Sequence, residues 1–102
     1  MIPKLPVEIP DEIIEGFCRK WKIKELALFG SVLRGDFRPD SDIDVLATFA
    51  ADAEWSVFDH ARMREELSTL LGREADLIET AGLRNPFRRS EILATRKVIY
   101  VA

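Results

Sequence analysis

Apolar residues recur along this chain with two alternating periods, and that alternation leaves few folds open. Asp11 is followed by Ile13, Ile14, Phe17 and Trp21, a stripe on one face of a helix over about residues 11–21, with Asp11 or a neighbour as its cap. The run Glu25 to Phe29 is continuous and apolar, stops at Gly30, and reads as a buried strand. Gly30-Ser31 turns the chain into a brief helix, about 31–34, closed by Gly35, and Asp36 to Ser41, with Pro39, is a loop. Asp42 to Phe49 has the period of two of a strand, with Asp42 and Asp44 on one face and Ile43 and Val45 on the other. Residues 54–71 give the longest helix, with an imperfect apolar face of Phe58, Ala61, Met63, Leu67, Leu70 and Leu71, ended by Gly72. Glu74 to Glu79 is a third strand. Asn85-Pro86 opens a helix that runs to about Arg96, with proline at the first helical position, and Lys97 to Val101 is the last strand. This order predicts an α/β (α+β) fold, a four-stranded sheet packed by helices.

At 102 residues the chain suits one compact domain, 1–102, with a small core that can lean on a ligand, metal or partner for stability. The balance of 15 basic and 18 acidic residues, net −3, argues against general electrostatic capture of nucleic acid, so no direct nucleic-acid binding is expected. Cys18 is the one cysteine, so no disulfide can form within the chain, which fits a reducing cytoplasm. Residues 1–10 carry three prolines, are expected to lie extended, and lack the apolar core of a signal peptide. No apolar run approaches the roughly 20 residues that span a bilayer, so a soluble, cytoplasmic protein with no membrane contact is expected.

The chemistry-bearing residues fall in two places. Asp42 and Asp44 lie two apart on a strand, their Cα atoms about 7 Å apart, with carboxylates pointing the same way. Such a pair repels unless a cation lies between, and Mg²⁺ takes one or two carboxylates together with phosphate oxygens. Asp76 is a third acid, set between Ala75 and Leu77 where an apolar residue would otherwise be expected. If its strand lies beside the second, it joins the pair. Three carboxylates suffice to hold two metal ions about 3.5–4 Å apart and to take a proton from an attacking hydroxyl. Upstream, Gly30 lets the backbone approach a phosphate, Ser31 adds a hydroxyl donor, and the short helix presents free N–H groups to an anion. Arg34 either contacts phosphate or pairs with Asp36 or Asp40.

Gly30-Ser31, then Arg34-Gly35, then Ser41-Asp42-Ile43-Asp44 resembles the signature of the polymerase-beta-type nucleotidyltransferase superfamily, most closely its minimal branch, the MNT domains. The resemblance runs from the first helix to the last strand. It implies a mixed-sheet α/β palm and transfer of a nucleoside monophosphate by in-line attack on the α-phosphate. It assigns Gly30 and Ser31, with Arg34 and Ser41 beside them, to the triphosphate. It assigns Asp42 and Asp44 to two Mg²⁺ ions and Asp76 to one metal and the acceptor proton. It further implies ATP as substrate and a helical HEPN protein, often a toxic ribonuclease, as partner in a hetero-oligomer. There the MNT chain acts as antitoxin, in some members by moving AMP to a tyrosine of the toxin. A non-catalytic antitoxin that neutralises by binding, and nucleotidyl transfer to RNA or a small molecule, are the alternatives.

The plainer readings are a solvated strand-edge pair for Asp42 and Asp44, a surface acid for Asp76 and a helix cap for Gly30-Ser31. His60 reads as an ordinary helix residue and Cys18 as inert. Arg84, Arg88 and Arg89 form a basic cluster that is either solvated or a contact for nucleotide or partner. Trp55, Phe58, Phe87 and Tyr100 read as core or partner-facing.

Overall fold

The computed structural model describes residues 10–33 and 42–102. The expected extended segment 1–9 and the loop 36–41 lie outside these residues. Helix α1, Asp11–Lys20, buries Ile14, Phe17 and Cys18 and carries Asp11 and Glu12 in its first turn, where acids oppose the positive helix end. Its cap differs from the expectation. Pro10 holds the N-cap position with no side-chain bond, and Asp11 is already helical. Ile13, expected in the apolar stripe, is 43 % exposed. Lys22, at φ 55, then turns the chain into strand β1, Ile23–Phe29, two residues longer than the apolar run. A four-residue 3-10 turn, Gly30–Leu33, follows. Strand β2 is Ile43–Phe49, so Asp42 stands immediately before it.

Helix α2, Val57–Leu71, starts at a capping box: the Ser56 hydroxyl accepts from Asp59 N–H, and Asp59 accepts from Ser56 N–H. It stops at Gly72, whose φ of 71 suits glycine. Strand β3, Ala75–Glu79, leads through a 3-10 turn, Thr80–Gly82, to helix α3, Pro86–Thr95. Asn85 caps α3 by accepting from Phe87 and Arg88 N–H, and Pro86 takes the first turn, where its missing N–H costs nothing. Strand β4 is Lys97–Val101. Among the described residues no helix is long and apolar enough to cross a membrane.

The strands form a mixed sheet in the order β3-β2-β1-β4. β2 pairs with β3 in parallel, the connection a crossover helix (α2) must supply; the other pairings are antiparallel. Strand alternation sorts the side chains onto two unequal faces. One face joins Leu26, Leu28, Ile43, Val45, Ala47, Ala75 and Leu77 to the buried residues of α1 and to Met63, Leu67 and Leu71 of α2. Among the described residues the other holds Ala27, Phe29, Leu46 and Ile92, with Ile78, Leu83 and Leu93 packed against them. Phe58, expected in the buried stripe of α2, is 85 % exposed, and Ala61 is exposed as well. Trp55 lies half-buried, its ring 5.2 Å from that of Trp21 and its Nε1–H donating to Trp21 O.

Cys18 is fully buried, and that burial pushes its thiol up from an ordinary 9.0 to about 12. The raised value means that the unfolded thiol ionises first. Below about pH 9 both states hold the proton and Cys18 contributes no pH dependence; between about pH 9 and about pH 12 the unfolded state alone loses it and stability falls. Wild type should therefore lose stability relative to Cys18→Ala as pH rises above about 9, by at most about 1.4 kcal/mol per pH unit. Urea unfolding of both chains on either side of that pH checks this, and a constant difference would refute it.

Candidate active site

The register of β2 against β3 makes the central statement about the site. Asp44 is the Cα partner of Asp76, and the buried pairs Ile43–Ala75 and Val45–Leu77 flank them on the opposite face. Paired residues on neighbouring strands project to the same side, so the Asp44 and Asp76 carboxylates share the thinly covered α3 face. Both residues are half-buried, while Asp42, two residues ahead of Asp44 and just outside the strand, is exposed. The strand expectation for Asp76 is met: its strand does lie beside the second. Among the described residues no group of three histidine, cysteine or carboxylate side chains is drawn together as a ready-made metal cluster. Two carboxylates in register with a third at the strand mouth is the arrangement found. Mutual repulsion opposes anything tighter without a cation.

Gly30 closes the site from the other side. Phe29 pairs with Asp44 across β1 and β2, so the turn after Phe29 passes directly over that carboxylate. Gly30 has φ 75, and a Cβ built there would overlap Asp44 Oδ2 outright and stand 3.2 Å from its Cγ. Only glycine meets both conditions, a left-handed backbone and a side chain of no volume. Ser31 lies in the same turn by its backbone. The turn has four residues in 3-10 geometry, so what it offers an anion is a short set of backbone N–H groups, not a full helix dipole. Arg34 and Ser41 lie outside the described residues.

The donor set fits a magnesium–triphosphate group. It has hard oxygen donors on adjacent strands and, beside them, a short turn whose backbone N–H groups suit an anion. Of the other described residues singled out in the sequence, none joins this cluster. His60 is half-buried on α2, with Nε2 3.4 Å from Leu77 O. Arg84 and Arg88 are exposed, and Arg89 donates to Thr80 O beside the second 3-10 turn. Phe87 is 86 % exposed, while Tyr100 is half-buried against the larger core. The sequence reading missed Arg64 and Ser68, which hold the backbone of β3 from outside. Arg64 Nε donates to Ala75 O at 3.0 Å, and Ala75 N–H donates to Ser68 Oγ at 2.9 Å. The signal was the spacing of four among polar residues 60, 64 and 68 on one helix face.

The fold agrees with that of known proteins. The chain matches the nucleotidyltransferase domain family over residues 10–99 and belongs to that family. A Methanocaldococcus jannaschii protein whose name proposes protein adenylyltransferase activity is 35 % identical over 82 residues, covering 80 % of each chain. The protein adenylyltransferase MntA of Thermococcus cleftensis is 30 % identical over 82 residues, covering 80 % of this chain and 78 % of its own. A solved structure described as a proposed minimal nucleotidyltransferase superposes with a TM-score of 0.70 at 33 % identity, covering 85 % of this chain and 86 % of its own. The fold recurs in a complex of tri-AMPylated Shewanella oneidensis HEPN toxin with MNT antitoxin, at a TM-score of 0.63 and 20 % identity, covering 90 % of this chain and 70 % of that one. This chain is a nucleotidyltransferase.

Gly30→Ala should cost about 1–2 kcal/mol of stability from its left-handed backbone alone. It should also turn the Asp44 carboxylate out of its place, abolishing nucleotide-dependent stabilisation. Melting with and without Mg²⁺-ATP tests this; a wild-type shift in the alanine variant would mean that Gly30 and Asp44 do not share one site.

Proposed function

We propose that this nucleotidyltransferase moves AMP from ATP to an acceptor hydroxyl, with Asp42, Asp44 and Asp76 holding two Mg²⁺ ions and the Gly30-Ser31 turn taking the triphosphate. The observation that carries the proposal is the Asp44–Asp76 register beside a glycine turn that admits no side chain. Mg²⁺ bound there supplies neutralisation of the charge that builds on the phosphates. The protein's own part is positioning. Asp44 on β2 and Asp42 immediately before it would hold the ion that keeps the polyphosphate against the turn. Asp76, on the neighbouring strand, accepts the proton of the acceptor hydroxyl. The acceptor oxygen bonds to the α-phosphorus, the bond to the bridging oxygen of the β-phosphate breaks, and pyrophosphate leaves.

The relatives support a protein acceptor. Two chains at 30 % identity or more carry the name of protein adenylyltransferase, one as a proposal and one outright. A complex of the same fold pairs MNT antitoxin with an AMP-bearing HEPN toxin. These support a HEPN protein as the partner of this chain and an antitoxin role for the transfer; a tyrosine of that partner as the acceptor is what the family resemblance implies. The 102 residues act as one domain in this reading, the partner bringing the acceptor.

Asp42→Asn and Asp44→Asn should each lower transfer by at least about 10²-fold while leaving the fold intact, since charge stabilisation is nearly all that the protein contributes. Intact mass spectrometry of the chain with Mg²⁺-ATP and its operon neighbour reads the AMP added to the neighbour. A wild-type rate in either variant would sink the proposal, and full neutralisation of the neighbour by both variants would assign the antitoxin role to binding alone. Mg²⁺ with ATP should raise the melting temperature by relieving the repulsion among the acids; identical melting curves with and without them would count against the site.

A further inference from the structure

β3 is the outermost strand on its side of the sheet, five residues long, and it carries Asp76. Its inner edge is fixed by β2. An outer edge normally leaves N–H and C=O groups to water, which lets a short strand shift. Here the outer edge is held by α2. Residues 60, 64 and 68 lie four apart and so line one stripe of that helix. Ser68 Oγ accepts from Ala75 N–H at 2.9 Å, Arg64 Nε donates to Ala75 O at 3.0 Å, and His60 Nε2 lies 3.4 Å from Leu77 O. The residue immediately before Asp76 is thus bonded through both of its outward backbone groups, and the residue immediately after it is approached by a third. Ala75 itself is fully buried against the larger core. No comparable stripe is needed for Asp44, which lies on a strand paired on both sides.

We infer that Arg64 and Ser68 are positioning residues: by clamping Ala75 they set the place of the Asp76 carboxylate opposite Asp44 and so the affinity of the site for its second divalent ion. Their bonds reach the backbone of β3 from the α2 side of the sheet, whereas Asp76 projects on the α3 side, so they act through strand position and not through charge. The inference rests on Asp76 being a metal-holding carboxylate, as proposed above. Groups that orient such ligands, when removed, typically weaken metal binding roughly 10- to 100-fold.

The test titrates Mn²⁺ into the full chain with AMP-PNP and reads free Mn²⁺ by electron paramagnetic resonance, with thermal melting alongside. Asp76→Asn should weaken one of the two Mn²⁺ sites, and Arg64→Ala should weaken the same site roughly 10- to 100-fold. Arg64→Lys, whose ammonium can still donate to Ala75 O, should recover part of the loss, and Ser68→Ala should show a smaller loss in the same direction. In the Asp76→Asn background, Arg64→Ala should add nothing further. A lower melting temperature with wild-type Mn²⁺ affinity in Arg64→Ala would make Arg64 a support of the fold only and overturn the inference. Should Arg64→Ala not fold, wild-type affinity in Ser68→Ala does the same. Wild-type affinity in Asp76→Asn would overturn the role of Asp76 itself and this inference with it, whereas a weakened Asp76→Asn beside an unchanged Arg64→Ala would overturn this inference alone.

Discussion

The parallel pairing of β2 with β3 in one register is the constraint from which the rest follows. Side chains on a strand alternate with a period of two, so a slip of one residue would send Asp76 into the face packed by Met63 and Leu67 and expel Ala75 and Leu77 from it. Burying an apolar side chain of that kind stabilises by roughly 1.5–3 kcal/mol, and burying a lone carboxylate opposes folding by more. Ordinary core formation therefore excludes any register that would put Asp76 on the packed face, and keeps its carboxylate on the side of Asp44. The acids enter that choice only through the cost of burying them; the hydrophobic residues beside them supply the rest.

The two faces of the sheet divide the work unequally. Helices α1 and α2 cover one face with the larger cluster, where Leu26, Val45, Ala47, Met63 and Cys18 are essentially free of solvent. Helix α3 contributes Ile92 as its one buried side chain, and among the described residues the opposite face has a core of four buried residues. The thin cover gives three acids a place where water still reaches them, and it leaves the Gly30 turn free to stand against Asp44. A thicker core on the α3 face would add stability at the cost of burying the carboxylates.

The sequence was legible where the determinants were local. Gly72 as a left-handed helix end, Pro86 at the first position of α3, the buried run ending at Gly30 and the alternation of Ile43, Asp44 and Val45 all follow from neighbours a few residues apart. The alignment of Asp76 with Asp44 followed only on the condition that their strands pair, since strand order depends on contacts distant in sequence. The misses have the same origin. Ile13 and Phe58 fit a helical apolar face by period, but which turn of a helix meets the sheet depends on where the sheet ends. The Ser56–Asp59 capping box begins α2 later than the apolar pattern alone suggested. The polar stripe at residues 60, 64 and 68 looked like imperfection in an apolar face because its partners are backbone atoms of another element.

Half-burial of Asp44 and Asp76, with Asp42 exposed at the strand mouth, bears on how such a site would fill. Two carboxylates in register carry too few ligands to satisfy a Mg²⁺ ion, which keeps several waters and is most often completed by phosphate oxygens. On the proposed reading, ion and triphosphate each supply what the other lacks: the phosphates complete the ion's oxygen shell, and the ion offsets the repulsion between phosphates and carboxylates. Binding of either then favours the other by the same factor, as linkage requires. A chain with a net charge of −3 has little general attraction for a polyanion, so the nucleotide's entry depends on the cation that accompanies it. On the same reading, selection for a magnesium-bound nucleotide over a free one would follow from the uncovered pair of acids that the core's register brings together.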